Sequence, residues 1–200
     1  MPRSPEPARQ KLLDAALELF AERGIGATSL REIRLAASQS NTAAVQHHFG
    51  DKDGLLRALL ERELPALVAR RTELLAAAED PWSIAAVFVL PFAEMSTGSN
   101  HQRSVVRFLS QLLDDLSMTF EEILNLIGDT GSADAYQLLR AHFPDLPADL
   151  LGERVAVATN SFLHAAALRA ARKRRAELVD DETFRRNLVD MFLGATTLAS

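Results

Sequence analysis

The 200-residue sequence contains no cysteine, and this absence excludes two classes of site. Disulfide frameworks and thiolate-ligated metal sites both need cysteine sulfur, so neither can form. A chain without cysteine is compatible with a reducing compartment, and we expect a cytoplasmic protein. We also expect no metal site and no cofactor.

Long apolar runs are missing as well. The most apolar stretch, residues 84–90, is far shorter than the roughly 18 residues that a membrane-spanning helix needs. The first residues lack the apolar core of a secretory signal. We therefore expect neither a membrane protein nor a secreted one.

The spacings typical of common catalytic sites do not occur. The sequence has no Glu-x-x-His, His-Glu-x-x-His, Gly-x-Ser-x-Gly or phosphate-binding glycine loop. We therefore expect a protein that is not an enzyme. The acidic pairs Asp114-Asp115 and Glu121-Glu122 favour one alternative, a helical-bundle metal-dependent enzyme, which a metal analysis would test.

Charge is unevenly distributed along the chain. Residues 1–60 carry eight Lys/Arg against seven Asp/Glu, a net charge of +1, whereas residues 61–200 carry fourteen against twenty, a net charge of -6. A polyanion such as nucleic acid is repelled least by the first segment.

The pattern that is present is helical throughout. Apolar residues recur at helical spacing, and neither sustained alternation nor a strand-helix-strand rhythm occurs. The sequence therefore predicts an all-α protein. Helices are expected at 9–23, from about 29, at 40–48, from about 51, from 81, and at 101–115, 117–127, 132–142, 147–174 and 181–198.

Local signals set several of these boundaries. Ser29, followed three residues later by a glutamate, forms a capping-box pattern. Asp80 followed by Pro81 is typical of a helix start. Pro65 and Pro91 lie inside apolar helical patterns, where each predicts a kink or a helix end.

The stretch 28–52 predicts two short helices joined by a tight turn, the arrangement of a helix-turn-helix. If Val45 and Phe49 point inward, then Ala43, Gln46 and His47 lie on the opposite face. A glutamine there can pair with adenine, and an alanine methyl can contact the thymine methyl. The two adjacent histidines at 47 and 48 point about 100° apart on a helix and do not suggest a shared metal ion.

At these residues the sequence closely resembles the DNA-binding region of the TetR family of regulators. The resemblance covers about residues 9–60 and is carried by LLDAALELFAERG, ATSLREI and HHFGDKDGLL in that order. It implies an α-helical DNA-binding domain at 1–53, a larger effector-binding and dimerisation domain at 54–200, and a recognition helix from Ser40 to His48. It also implies that Lys52 contacts a phosphate.

The sequence departs from the commonest family pattern between the two short helices. The segment SQSNTAAVQHH is one residue longer than usual. Ser38 stands where a glycine is typical, His47 where a tyrosine is common, and Arg34 where residues are small.

Together, the residues and the resemblance predict three sets of site residues. The DNA-binding set is Thr28, Ser29, Ser40, Asn41, Thr42, Ala43, Gln46, His47, His48 and Lys52. The effector-pocket set is Phe88, Phe92, Met95, Arg103, Arg107, Phe108, Phe120, Asn160 and His164. The dimer-interface set is Phe162, Phe184, Leu188, Met191 and Phe192.

The resemblance implies a ligand-released repressor that binds a pseudo-palindromic operator as a homodimer. Its partners would be double-stranded operator DNA, a second copy of the chain and a small, mainly apolar effector. The sequence leaves open a DNA-binding dimer that has no small-molecule effector.

Overall fold

The computed structural model describes residues 5–39, 44–113, 128, 130–172 and 179–197. Within these residues it contains nine helices and no strand, which confirms the predicted all-α fold. The helices are α1 (Pro5–Arg23), α2 (Leu30–Ala36), α3 (Ala44–Phe49), α4 (Lys52–Ala76), α5 (Pro81–Thr97), α6 (Asn100–Leu113), α7 (Ser132–His142), α8 (Ala148–Ala171) and α9 (Asp181–Thr197).

Helix boundaries agree with the local signals in the sequence. Ser29 caps α2 in a capping box, and Asp80 caps α5 with a proline in the first turn. Neither Pro65 nor Pro91 ends its helix, because α4 and α5 continue past them. The helix predicted at 117–127 lies outside the described residues. No helix in the described part is both long enough and apolar enough to cross a membrane.

The chain divides into two compact units. The first contains the described residues within 1–64 and 111–128, and the second contains those within 65–110 and 129–200. Helix α4 contributes to both units, with residues 52–64 in the first and 65–76 in the second. The boundary predicted after residue 53 lies near the start of this helix and stays a prediction.

The core of the first unit is formed by the inward faces of its helices. From α1 come Leu13, Leu17 and Phe20, and from α2 comes Ile33, all of them buried. Four leucines of α4 at positions 55, 56, 59 and 60 are also buried. Each such side chain contributes roughly 1.5–3 kcal/mol of burial free energy, so this small unit has a core of its own.

The core of the second unit is built around α5. Residues 84–89 of α5 are all buried, and α5 packs against α7, α8 and α9. Helices that are apolar on all sides are typical of the interior of a domain. The ring of Phe88 stacks on that of Phe192 at 5.1 Å, and Phe162 lies 5.7 Å from Phe192.

This core corrects part of the predicted dimer interface. Phe162, Leu188 and Phe192 lie in the core of the second unit, where α5 covers them. A partner chain cannot reach these side chains. Phe184 is half-buried, with the Arg169 guanidinium 4.2 Å from its ring centre, whereas Met191 is 54% exposed.

Candidate nucleic-acid interface

The turn after α2 depends on one residue with a left-handed backbone. Ser38 has a φ of +52°, which L-amino acids other than asparagine and aspartate rarely adopt. Its amide donates to the Leu35 carbonyl at 3.0 Å, and the Gln39 amide donates to the Arg34 carbonyl at 3.0 Å. These two bonds form a Schellman motif, and this explains why glycine is typical at position 38.

Arg34 closes the same turn from its side chain. Its Nη1 atom donates to the Gln39 carbonyl at 2.7 Å. The guanidinium thus satisfies a carbonyl just beyond the motif. The second departure from the family pattern therefore has a role in this turn.

Ser38→Gly is expected to raise the free energy of unfolding by about 0.5 to 1 kcal/mol. Glycine removes the steric cost of the left-handed backbone, which exceeds the entropy that glycine loses on folding. Thermal unfolding of the two proteins measures the difference. The control is Ala36→Gly in the last turn of α2, which should lower the stability by about 1 kcal/mol. A free energy of unfolding lower in S38G than in wild type would show that the left-handed backbone at Ser38 is not strained.

Helix α3 has one inward and one outward face, as predicted. Val45 is buried, Phe49 is half-buried, and Gln46 and His47 are exposed. The guanidinium of Arg9 from α1 lies 5.5 Å from the centre of the Phe49 ring and covers that side. The outward side chains of α3 are therefore available to a partner. The predicted contact residues Ser40, Asn41, Thr42 and Ala43 lie outside the described residues.

The start of α2 already uses the polar groups of Ser29, a residue of the predicted DNA-binding set. The Ser29 hydroxyl and amide donate to Glu32 Oε2 at 2.6 and 2.9 Å. These two hydrogen bonds lower the pKa of Glu32 below its usual value. Ser29 therefore caps α2, and its hydroxyl is already engaged.

The placement of Thr28 in the predicted DNA-binding set needs a correction. Its side chain is buried, and its hydroxyl donates to the Gly24 carbonyl at 2.8 Å. The hydroxyl thus ties the end of α1 to the start of α2 and is not available to DNA. Sequence reasoning missed this role because a threonine before a helix is equally typical of a cap.

Lys52 is held in place within the first unit. Its ammonium donates a hydrogen bond to the Ile25 carbonyl and lies 5.9 Å from the centre of the Phe20 ring. The lysine thereby connects the start of α4 to the loop after α1. It remains half-buried, so part of the side chain still faces solvent.

The junction between α3 and α4 is unusually close. The Asp51 carboxylate accepts a hydrogen bond from the Gly54 amide at 2.8 Å, which caps α4. A Cβ atom at position 54 would lie 1.9 Å from the Phe49 carbonyl oxygen. Only glycine fits there without moving the backbone.

The predicted effector-pocket residues lie in different surroundings. Phe88, Phe92 and Phe108 are buried, and Met95 is half-buried. Arg103 and Arg107 line an open cleft of about 400 Å³ between α6 and the end of α8. Another open cleft of about 500 Å³ is lined by Trp82, Leu90, Glu94, Glu182, Arg185, Arg186 and Asp190, none of which was predicted.

Two residues of the predicted effector pocket lie at the surface of α8, and a third is not described. Asn160 and His164 are exposed on α8, whereas Phe162 and Leu163 between them are buried. His164 Nδ1 lies 3.4 Å from the Ser110 hydroxyl. Phe120 lies outside the described residues.

A sequence profile of the family described as "Bacterial regulatory proteins, tetR family" matches residues 12–59, the part that contains most of α1, all of α2 and α3, and the start of α4. Residues 12–59 of this chain are therefore similar to the DNA-binding region of that family. The match covers the turn, the outward face of α3 and the α3–α4 junction described above.

Curated and solved TetR-family proteins resemble this chain. HTH-type transcriptional regulator BetI of Burkholderia ambifaria is 35% identical over 112 residues, 55% of this chain. The chain spans about 57% of the length of that relative. The TetR-family regulator PfmR of Thermus thermophilus superposes with a TM-score of 0.57 at 24% identity, covering 91% of this chain and 96% of its own.

A regulatory protein of the tetR family from Rhodococcus RHA1 has a TM-score of 0.58 at 18% identity, covering 96% of this chain and 98% of its own. At these identities the structural matches establish the fold, and they extend through both units of this chain. The helical second unit is therefore part of the shared fold.

Proposed function

We propose that this chain is a TetR-family transcriptional repressor that binds a pseudo-palindromic operator as a homodimer and is released by a small effector. The observation that carries the proposal is the outward face of α3, which lies within the region matched by the family profile. Gln46 and His47 are exposed there. The repressor would act in the cytoplasm.

The exposed side chains of α3 suit base edges in the major groove. A glutamine can pair bidentately with adenine, and a histidine can donate or accept a hydrogen bond. Lys52 stands at the start of α4 and suits a phosphate. Base contacts set sequence preference, whereas phosphate contacts strengthen binding to every sequence.

Exposed apolar residues on the last two helices support a dimer. On α8, Val157 is 62% exposed and Leu168 is 53% exposed. They are eleven residues apart, which places them on the same side of the helix, and Met191 is exposed on α9. We propose that these three side chains, instead of Phe162, Leu188 and Phe192, form the centre of an isologous interface.

Release by an effector requires two states of the dimer. Two recognition helices about 34–36 Å apart fit successive major-groove faces of an operator. An effector that favours a different spacing weakens DNA binding, and DNA must weaken effector binding equally. Coupling of about 1 to 3 kcal/mol is typical of such linkage.

A mobility-shift titration tests the proposal on the promoter region next to the chain's own gene. Gln46→Ala is expected to lose discrimination of about 1 to 3 kcal/mol at one base pair while retaining non-specific binding. Lys52→Ala should weaken binding to all sequences alike and reduce the salt slope by about 1.8, because a homodimer would lose two phosphate contacts. The control is Gln137→Ala, an exposed glutamine of the second unit that should change neither property.

Several results would overturn the proposal. Absence of retardation at low salt would reject DNA binding. The reverse pattern, with general weakening in Q46A and altered base choice in K52A, would show that the recognition helix is misassigned. A solution mass equal to one chain at high concentration would reject the dimer.

A further inference from the structure

The second unit contains a buried arginine that pairs with no carboxylate of the described residues. Arg71 on α4 is only 4% exposed. Its Nη1 atom donates to the Thr130 carbonyl at 3.1 Å, and its buried Nε atom has no hydrogen-bond partner. Within the described part of the chain no carboxylate pairs with Arg71.

The preceding residue, Arg70, is an arginine of the same helix whose charge is compensated by carboxylates. Arg70 donates to the two Glu94 carboxylate oxygens at 2.9 and 2.8 Å and to Glu73 at 3.0 Å. These hydrogen bonds raise the pKa of Arg70 above its usual value. Among the described residues, Arg70 therefore has carboxylate partners and Arg71 has none.

The surroundings of Arg71 compensate its charge only in part. Burial lowers the pKa of Arg71 to about 10, since water no longer stabilises the cation. Its guanidinium lies 5.2 Å from the centre of the Phe92 ring, a cation–π contact. Such a contact and one carbonyl do not replace a full negative charge.

We propose that the effector carries a carboxylate that pairs with Arg71 and an apolar body that lies along α5. This inference rests on the proposed function and specifies its ligand class. Arginine binds a carboxylate through parallel hydrogen bonds, and the buried Nε atom of Arg71 is available to donate one of them. The apolar body is assigned because Phe92, next to the guanidinium, belongs to the apolar helix α5.

Arg71 is a stronger candidate than the arginines of the open cleft. Arg103 and Arg107 are only half-buried, and Arg103 already donates to the Gly98 carbonyl at 2.6 Å. Water and salt ions can compensate charges at such a site. The charge of Arg71 is removed from water, so the cation has lost more of its hydration free energy. A bound anion would compensate more of that loss at Arg71 than at the two half-buried arginines.

The first experiment compares the unfolding temperatures of R71M and R70M without any ligand. Methionine fills the space of the arginine stem and removes the charge. R71M should unfold about 3 to 8 °C higher than wild type, because an uncompensated buried charge is removed. R70M should unfold at the same temperature or lower, because it breaks existing ion pairs. An R71M temperature below that of wild type would overturn the inference and make Arg71 structural.

The second experiment adds straight-chain carboxylates from hexanoate to decanoate, the alcohols of equal length, and inorganic phosphate. At about a hundredfold excess over Kd, a matching carboxylate should raise the unfolding temperature of wild type and R70M by about 5 to 10 °C, and that of R71M by less than about 1 °C. Failure of every carboxylate, or an equal rise with the alcohols or phosphate, would overturn the inference.

The same samples separate this inference from the proposed function. Operator retardation of wild type without any additive tests DNA binding alone. If retardation occurs and no carboxylate acts through Arg71, only the ligand class is wrong. If no retardation occurs, the proposed function fails whatever the carboxylates do.

Discussion

Gly54→Ala is expected to abolish operator binding and to lower the free energy of unfolding by about 3 kcal/mol. The added Cβ atom would lie 1.9 Å from the Phe49 carbonyl oxygen and 3.1 Å from its carbon. Both are backbone atoms, so no side-chain rotation can relieve the overlap. Phe49 is the last residue of α3, and the backbone shift must therefore move α3, the proposed recognition helix.

Thermal unfolding and mobility shift measure the two parts of this prediction separately. Gly26→Ala is the matched control in the same unit, since nothing lies within 4 Å of a Cβ atom there and its backbone is not left-handed. G26A should keep both the stability and the retardation of wild type. A G54A variant with the properties of wild type would show that the α3–α4 junction is wider than described.

Asp181→Ala is expected to lower the free energy of unfolding by about 2 to 3 kcal/mol. Asp181 Oδ1 accepts a hydrogen bond from Arg169 Nη2 at 2.6 Å, and the Arg169 side chain is only 6% exposed. Removing one partner leaves a buried charge, which costs about 3 to 5 kcal/mol in a fully buried pair. The expected loss is smaller because 40% of the Asp181 side chain is exposed.

A double-mutant cycle separates the ion pair from other effects of the substitution. Arg169→Met removes the charge, the hydrogen bond to the Val179 carbonyl at 2.8 Å and the contact with the Phe184 ring. In the R169M background, D181A should cost less than about 0.5 kcal/mol. Equal losses in both backgrounds would show that Asp181 acts through some interaction other than this pair.

Much of the first unit could be predicted because its signals are local. The Ser29 capping box and the faces of α3 follow from neighbouring residues in the sequence, and the structure confirms them. The left-handed backbone at Ser38 also agrees with the position where glycine is typical. The identity of the contacted bases does not follow from this sequence, because it depends on the DNA as well as on the protein.

The residues of α9 that are free for the proposed dimer were harder to predict, because periodicity defines a face of a helix but not the element that covers it. Met191 and Phe192 are neighbours in α9, yet one is exposed and the other lies in the core beside Phe88. Both are large and apolar. Only the packing of α5 against α9 shows which of the two side chains is buried in the core of the second unit.

The two arginines of α4 could not be distinguished from the sequence at all. Arg70 and Arg71 are identical in type, and their difference arises from Glu94, a residue on another helix. Hydropathy patterns place both at a helix surface. The placement of α5 beside α4 decides which of the two arginines pairs with the Glu94 carboxylate.

The hydrogen bond from Lys52 to the Ile25 carbonyl has a consequence for how strongly Lys52 would bind a phosphate of the proposed operator. An ammonium has three hydrogens, and the one given to Ile25 leaves two for a phosphate oxygen. Free lysine side chains lose about 2 kcal/mol of rotamer entropy when a contact immobilises them. Here folding has already restricted the side chain, so a phosphate would meet a preorganised ligand and the contact would retain more of its electrostatic free energy.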